Sequence, residues 1–489
     1  MSRWRLSQSS LRTLSVLLAL TAAPMAPVFG QGAASTDGPP VGPFTLPWFQ
    51  FLRQNEDWSV LRGAPDDVSQ RPLNRIKYVP LTDDETIWVS FGGHTRGRVE
   101  AWDNFAFGAP TTDSDEFALW RLTMHADLHV GPNARVFVEG ISALSTDRSL
   151  PGGRRALDVN ELDLQQGFAD ISFDLGDHSR LTIRAGRQAY LFGKQRLVSP
   201  LPWANSLRSW DGFTGILAIH DWTVTGFWSQ FDPVQKFSFD DPDAGTEFFG
   251  AYATGPVPGA GGLGADLYMF GLHRDVAAFN GTAGSENRYT IGGRLFGRLL
   301  DGALDYDLEG AYQLGDVGAG DISAFMVSTQ VGYTFSGVAT SPRVHLGLDY
   351  ASGDDAPGGD VQTFNQLFPL GHAYFGYIDF VGRQNVIDIN PSVTLKPFKG
   401  AVLRLDGHVL WRADTSDALY NAGGGVVRAA GGSSSSETGF ELDITLKYAL
   451  SRHATALVGY SRFFAGDFIE DTGASSDIGF LYAQLQFTF

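Results

Sequence analysis

In the stretch "HTRGRVEAW", Arg96, Arg98 and Glu100 stand two residues apart, so any extended strand puts all three on one face. The same parity recurs in Arg121 with Asp127, in Arg184, in Arg294 with Arg298, in Asp305, Asp307 and Glu309, in Arg343 with Asp349, in Arg404 with Asp406, and in Arg412 and Lys447. Guanidinium groups lining a water-filled passage lower the barrier for anions and offer carboxylates paired hydrogen bonds, while interleaved acids keep a bound anion mobile. The same residues could instead pair among themselves and hold a wall together.

No motif points to catalysis. The chain has no G-x-S-x-G elbow and no P-loop, and "GGSSSSETG" is a flexible-linker composition, so neither an enzyme nor a resident cofactor is expected. The acids of the loops could hold divalent cations that bridge to surface lipopolysaccharide, or simply be solvated.

The elements that must position these residues are alternating strands. In "FALWRLTMHADLHV", Trp120, Leu122, Met124, Ala126, Leu128 and Val130 alternate with Arg121, Thr123, His125, Asp127 and His129. "FELDITLKYAL" and "VLRLDGHVLWR" repeat the pattern, and similar runs occur near 89–102, 181–189, 213–230, 287–298, 303–313, 322–335 and 342–350. Each run is about ten residues long, enough to cross a bilayer at a tilt. Lipid outside and water inside would explain why one face is apolar and the other charged. The terminal "FLYAQLQFTF" fits a closing strand that pairs with 89–102 and anchors Phe489 in an interfacial aromatic girdle.

Composition agrees. The 489 residues include 59 Gly and no Cys, and the net charge of −18 argues against a nucleic-acid partner. Residues 1–30 read as a secretory signal peptide, with Arg3, Arg5 and Arg12 before an apolar run from Leu14 to Ala23. Residues 31–85 read as a periplasmic lead segment and 86–489 as an all-β, transmembrane, antiparallel up-and-down barrel, because a secreted chain without a helical span can cross a membrane only as a closed barrel. About 17 candidate strands and the even-number rule give 18 strands, or 16. "GPN" (131–133) and "LGDHS" (175–179) are expected as tight turns. The stretches 239–266, 352–366 and 421–439, rich in Gly, Ser and acids, are expected as long outer loops.

Several of these stretches are more specific than a generic barrel. "NEDWSVLRGAPDDVSQRPLNRIKYVPL", "WVSFGGHTRGRVE", "RAGRQAYLFGKQRLVSPLPWANSLRSWDGF", "DYASGDDAPGGDVQTFNQLFPLGHAYFGYIDFVGRQN" and "GYSRFFAGDFI" together resemble the alginate export family of outer-membrane barrels, from about residue 55 to Phe489. The resemblance implies a monomeric 18-stranded barrel with an electropositive constriction for anionic polysaccharide, and the exposed C-terminal strand ending in Phe489 is what outer-membrane assembly machinery would read. The resemblance also implies functional positions at Gly186, Arg187, Gln188, Arg196, Asn205, Arg208 and Asp211. By alternation Arg187 is out of phase with Arg184, which suits a structural pairing with Asp211. Two positions depart from the family pattern: His94 stands where an acid is expected, and Arg462 where a His is expected. The rival readings are a porin importing small anions or organic nutrients, and a plugged structural or adhesive barrel.

Overall fold

Strand alternation becomes a closed wall in the computed structural model, which describes residues 40, 41 and 44–489. The expected signal peptide, residues 1–30, lies outside the described residues. Eighteen strands build the wall: β1 (Ile87–Asp103), β2 (Asp115–Val130), β3 (Ala134–Ser145), β4 (Asn160–Asp174), β5 (Ser179–Gln188), β6 (Ser209–Ile219), β7 (Trp222–Asp232), β8 (Asp243–Pro256), β9 (Leu263–Phe279), β10 (Thr282–Leu299), β11 (Leu304–Val317), β12 (Gly320–Thr334), β13 (Arg343–Ala351), β14 (Val386–Leu395), β15 (Ala401–Trp411), β16 (Glu437–Ala449), β17 (Ala454–Ala465) and β18 (Ile478–Thr488). Each pairs antiparallel with the next, and β18 closes on β1 with Gly479 opposite Asp103 and Thr488 opposite His94. Closure satisfies every ladder and leaves no open edge in lipid.

Side chains divide as the pleat requires. Trp120, Leu122 and Met124 are exposed on the outer face of β2, while Arg121, Thr123 and His125 are buried on the inner one. Gly186 in β5 is required where it stands: its φ is +125° and a Cβ would meet the carbonyl oxygen of Gly167 at 2.3 Å.

The connections fall into two sets. Short turns such as 131–133, 175–178 and 300–303 gather at one end, while the segments 146–159, 189–208, 352–385 and 412–436 leave the other. Two expectations are corrected here. The 213–230 pattern is two strands, β6 and β7, turned at His220 and Asp221 with His220 at φ 52° and no Gly or Pro to mark the turn. The stretch 239–266 is mostly β8 and the start of β9, with 239–242 ending the connection from β7 and 257–262 forming a short turn. Phe248 and Tyr252 of β8 and Tyr268 and Phe270 of β9 are buried in one cluster with Tyr190, Trp210 and Phe368. On that side the barrel interior is an apolar core, so the expected polar inner face is missing and the strands do not read as porin strands.

Ahead of the wall, Leu46, Trp58, Leu61 and Val68 pack against Trp88, an inward residue of β1 that stacks on His129 at 4.0 Å. Val79 and Pro80 add a short pairing to Val89 and Trp88. Residues 46–80 are thus seated at the short-turn mouth.

Candidate channel constriction

The segment 189–208 leaves β5 and crosses the interior. Arg196, 1% exposed, reaches β11, where its Nη1 donates to Asp307 at 2.8 Å and Glu309 at 2.7 Å. The chain then returns to β1 and β2. There Arg96 donates to the carbonyl oxygens of Pro202, Trp203 and Ala204 at 2.9, 3.1 and 2.7 Å, and Arg121 to those of Ala204 and Pro202 at 2.8 and 3.2 Å. His94 accepts from Arg121 Nε at 2.9 Å. Arg98 bridges Glu100 at 2.8 Å, donates to the Trp203 carbonyl at 2.7 Å and covers the Trp203 ring at 4.0 Å. Asn205 Nδ2 lies within 3.0 Å of the carbonyl oxygens of Trp120, Leu144 and Asp158.

A second segment, 352–385, locks onto the first. Ser199 N donates to Phe368 O at 2.8 Å, Phe368 N to Leu197 O at 2.9 Å and Leu370 N to Gln195 O at 2.9 Å. Arg208 is half-buried and donates to Pro369 O at 2.8 Å. Trp203 from one segment stacks on His372 from the other at 3.6 Å, and His372 on Tyr377 at 4.5 Å. The expectation that 352–366 is an outer loop is therefore corrected: its Val361 and Phe364 are fully buried. Two interlocked segments, anchored by arginines, span the middle of the barrel.

Most of the arginines read from the sequence hold this architecture. Arg184 forms two hydrogen bonds with Asp170, at 2.8 and 2.9 Å. Arg294 bridges Asp266 and Asp307 at 2.7 and 2.6 Å, and Asp127 is held by Arg135 at 2.6 Å. Arg187 is not on the path. It shares the outward face with Phe213 and Trp228, bonded to Asp211 at 2.8 and 3.1 Å and close to Asp232 at 3.2 Å. Arg412 is buried and bound to loop backbone, donating to the carbonyl oxygens of Thr415, Asp417 and Ser435 at 3.0, 3.0 and 2.6 Å, 3.5 Å from the ring of the interior Phe468. Gln188 is inward and bonds Thr214 at 2.8 Å, beside Gly186.

What remains open to water is a basic row toward the short-turn end. Arg343, Thr394, Arg404 and Thr445 are successive partners across β13 to β16, and Lys447 is the next inward residue of β16. Arg298 takes the matching place on β10, opposite Asp305. Arg343 pairs with Asp305 at 2.5 Å and Arg404 with Asp406 at 2.6 Å. Arg298 and Lys447 are exposed and, among the described residues, make no ion pair. Sequence reasoning had included all four cations. It lacked the signal that separates them from Arg96 and Arg121, because burial behind a crossing segment leaves no periodicity.

Lys77 sits in the lead segment with its Nζ unbonded, 4.9 Å from the Trp58 ring, with Arg53 and Arg452 as cationic neighbours. Burial, reinforced by Arg53, lowers its pKa from 10.5 to about 7. A released segment binds more protons than a docked one between those values, so docking tightens as pH rises through that window and is weakest below it. The slope is at most about 1.4 kcal/mol per pH unit. Lys77→Met should make docking insensitive to pH, read as protease protection of residues 46–80 at pH 6 against pH 9. A persisting pH slope in that variant would assign the effect to another group.

Residues 87–479 match the sequence profile of the family described as alginate export. The chain belongs to the alginate export family. Like the family, it is a channel of the bacterial outer membrane and not an enzyme. No curated protein matches the sequence. Among solved structures, Pseudomonas aeruginosa OpdK crystallised with vanillate is 12% identical over 82% of this chain and 98% of its own, with a TM-score of 0.55. OccK11 (OpdR) of the same organism is 14% identical over 82% and 96%, with a TM-score of 0.52. At these identities the likeness is one of fold. It places this alginate export family chain among closed outer-membrane barrels.

Proposed function

We propose that the channel passively conducts carboxylate-bearing solutes, with an alginate-like uronate polymer, exported as a monomeric pore would allow, as the main substrate class. The carrying observation is the row Arg298, Arg343, Arg404 and Lys447, whose four cations face, among the described residues, Asp305 and Asp406 as direct partners. In an outer-membrane barrel short turns face the periplasm. The row would then meet a polymer at its point of entry, and its surplus charge would draw carboxylates toward the constriction.

Import of small organic anions is the second reading. The interlocked segments 189–208 and 352–385 favour it, because a polymer needs them to move and a small anion does not. The reversal potential of refolded protein in a planar bilayer under a salt gradient, repeated with oligouronate on one side, tests both. Anion preference with uronate block is the expected result. Anion preference without block supports the small-anion reading, and absence of anion preference rejects both.

A further inference from the structure

We propose that residues 46–80 are a plug of the short-turn mouth that also holds the crossing segment 189–208 in place, so that their withdrawal opens the channel.

The segment enters the barrel interior and does more than rest on the rim. Its Arg53, 3% exposed, donates to the carbonyl oxygens of Gly93 and Phe489 at 3.0 and 2.9 Å, where the first and last strands meet. Gln54 goes deeper. Its amide exchanges hydrogen bonds with the inward Gln166 of β4 at 3.1 and 3.2 Å, and its own carbonyl accepts from Arg135 at 2.7 Å. Beyond the β18–β1 seam from these strands, Phe49 lies against His453 in the turn between β16 and β17, with ring centroids 5.2 Å apart. Residues 49–54 therefore reach from that turn, past the β18–β1 seam, to β3 and β4.

Gln166 also ties the plug to the constriction. Its Oε1, which accepts from Gln54, accepts from the backbone N of Ala189 at 3.1 Å as well, and Ala189 is the first residue of the crossing segment. Its Nε2 donates to Glu139 at 2.9 Å. One buried amide thus joins the plug, the wall and the root of the crossing segment. All these links are hydrogen bonds and apolar contacts, reversible without any covalent step. Removing Gln54 frees Gln166 to turn and loosens the hold on Ala189.

The chain has no Cys, so a pair can be introduced cleanly. In Gln54→Cys with Gln166→Cys, oxidation or a short bis-thiol reagent should join the plug to the wall. Single-channel conductance in potassium chloride should then be lower in the linked form and rise at least twofold on release of the link. Arg53→Ala, free of added Cys, should show the same raised conductance in a barrel whose heat-modifiable migration is unchanged. Equal conductance in the linked and released forms would overturn the proposal, as would failure of the pair to link in the folded barrel. Because the readout is conductance in simple salt, it is independent of whether uronate is the solute.

Discussion

Arg196→Met opens the channel and turns it toward cations. The guanidinium is the only link from the crossing segment to β11 among the described hydrogen bonds, and it lies between Asp307 and Glu309, both buried. Without it, Asp307 keeps Arg294 at 2.6 Å, but Glu309 keeps only the hydroxyl of Tyr268 at 3.0 Å. Leaving one partner of a buried pair unmatched costs about 3–5 kcal/mol. That cost is relieved if the segment swings away and water reaches the carboxylates. Conductance should rise several-fold in planar bilayers, and the reversal potential should move toward that of a cation channel as the acids become solvated. Adding Asp307→Asn and Glu309→Gln should keep the high conductance and remove the cation shift, because no buried charge is left to solvate. Wild-type conductance in a folded Arg196→Met barrel would show that pairing with 352–385 suffices to hold the crossing segment.

The wall was legible in the sequence because lipid enforces a strict period of two over some ten residues, and β2, β15 and β16 carry it without interruption. The closing pair was legible for the same reason: Leu481, Leu485 and Phe487 alternate with Tyr482, Gln484 and Gln486 up to the chain end. The interior obeys no such rule. Phe248 faces inward against Phe368, with Phe270 packed beside it, and the contact of Phe248 with Phe368 joins residues more than a hundred positions apart in the chain. Arg96 and Arg298 sit at equivalent parity on their strands. Only the first meets a returning backbone, and no local pattern announces it. Arg187 was distinguishable: its phase opposite to Arg184 marked it as outward, and it pairs with Asp211. The family motif 186–212 turns out to encode how the crossing segment is fixed, through Arg196, Asn205 and Arg208.

That distinction between buried and open cations sets the second large effect. Arg298→Gln with Lys447→Gln removes two unpaired charges from the solvated row and disturbs no hydrogen bond of the crossing segment, so anion preference should fall several-fold at nearly unchanged conductance. Arg96→Gln with Arg98→Gln should do the reverse. It removes donors to Pro202, Trp203 and Ala204, so conductance should change through a looser segment, while the row that faces the mouth keeps its charge. Salt separates the two mechanisms. At 0.1 M the screening length of about 10 Å lets the row act across much of the mouth, whereas at 1 M it shrinks to about 3 Å. The loss caused by the first pair should therefore be large at low salt and nearly absent at high salt, and the conductance change caused by the second should persist in both. Equal loss of anion preference in the two variants at low salt would move the filter from the open row to the buried arginines behind the crossing segment.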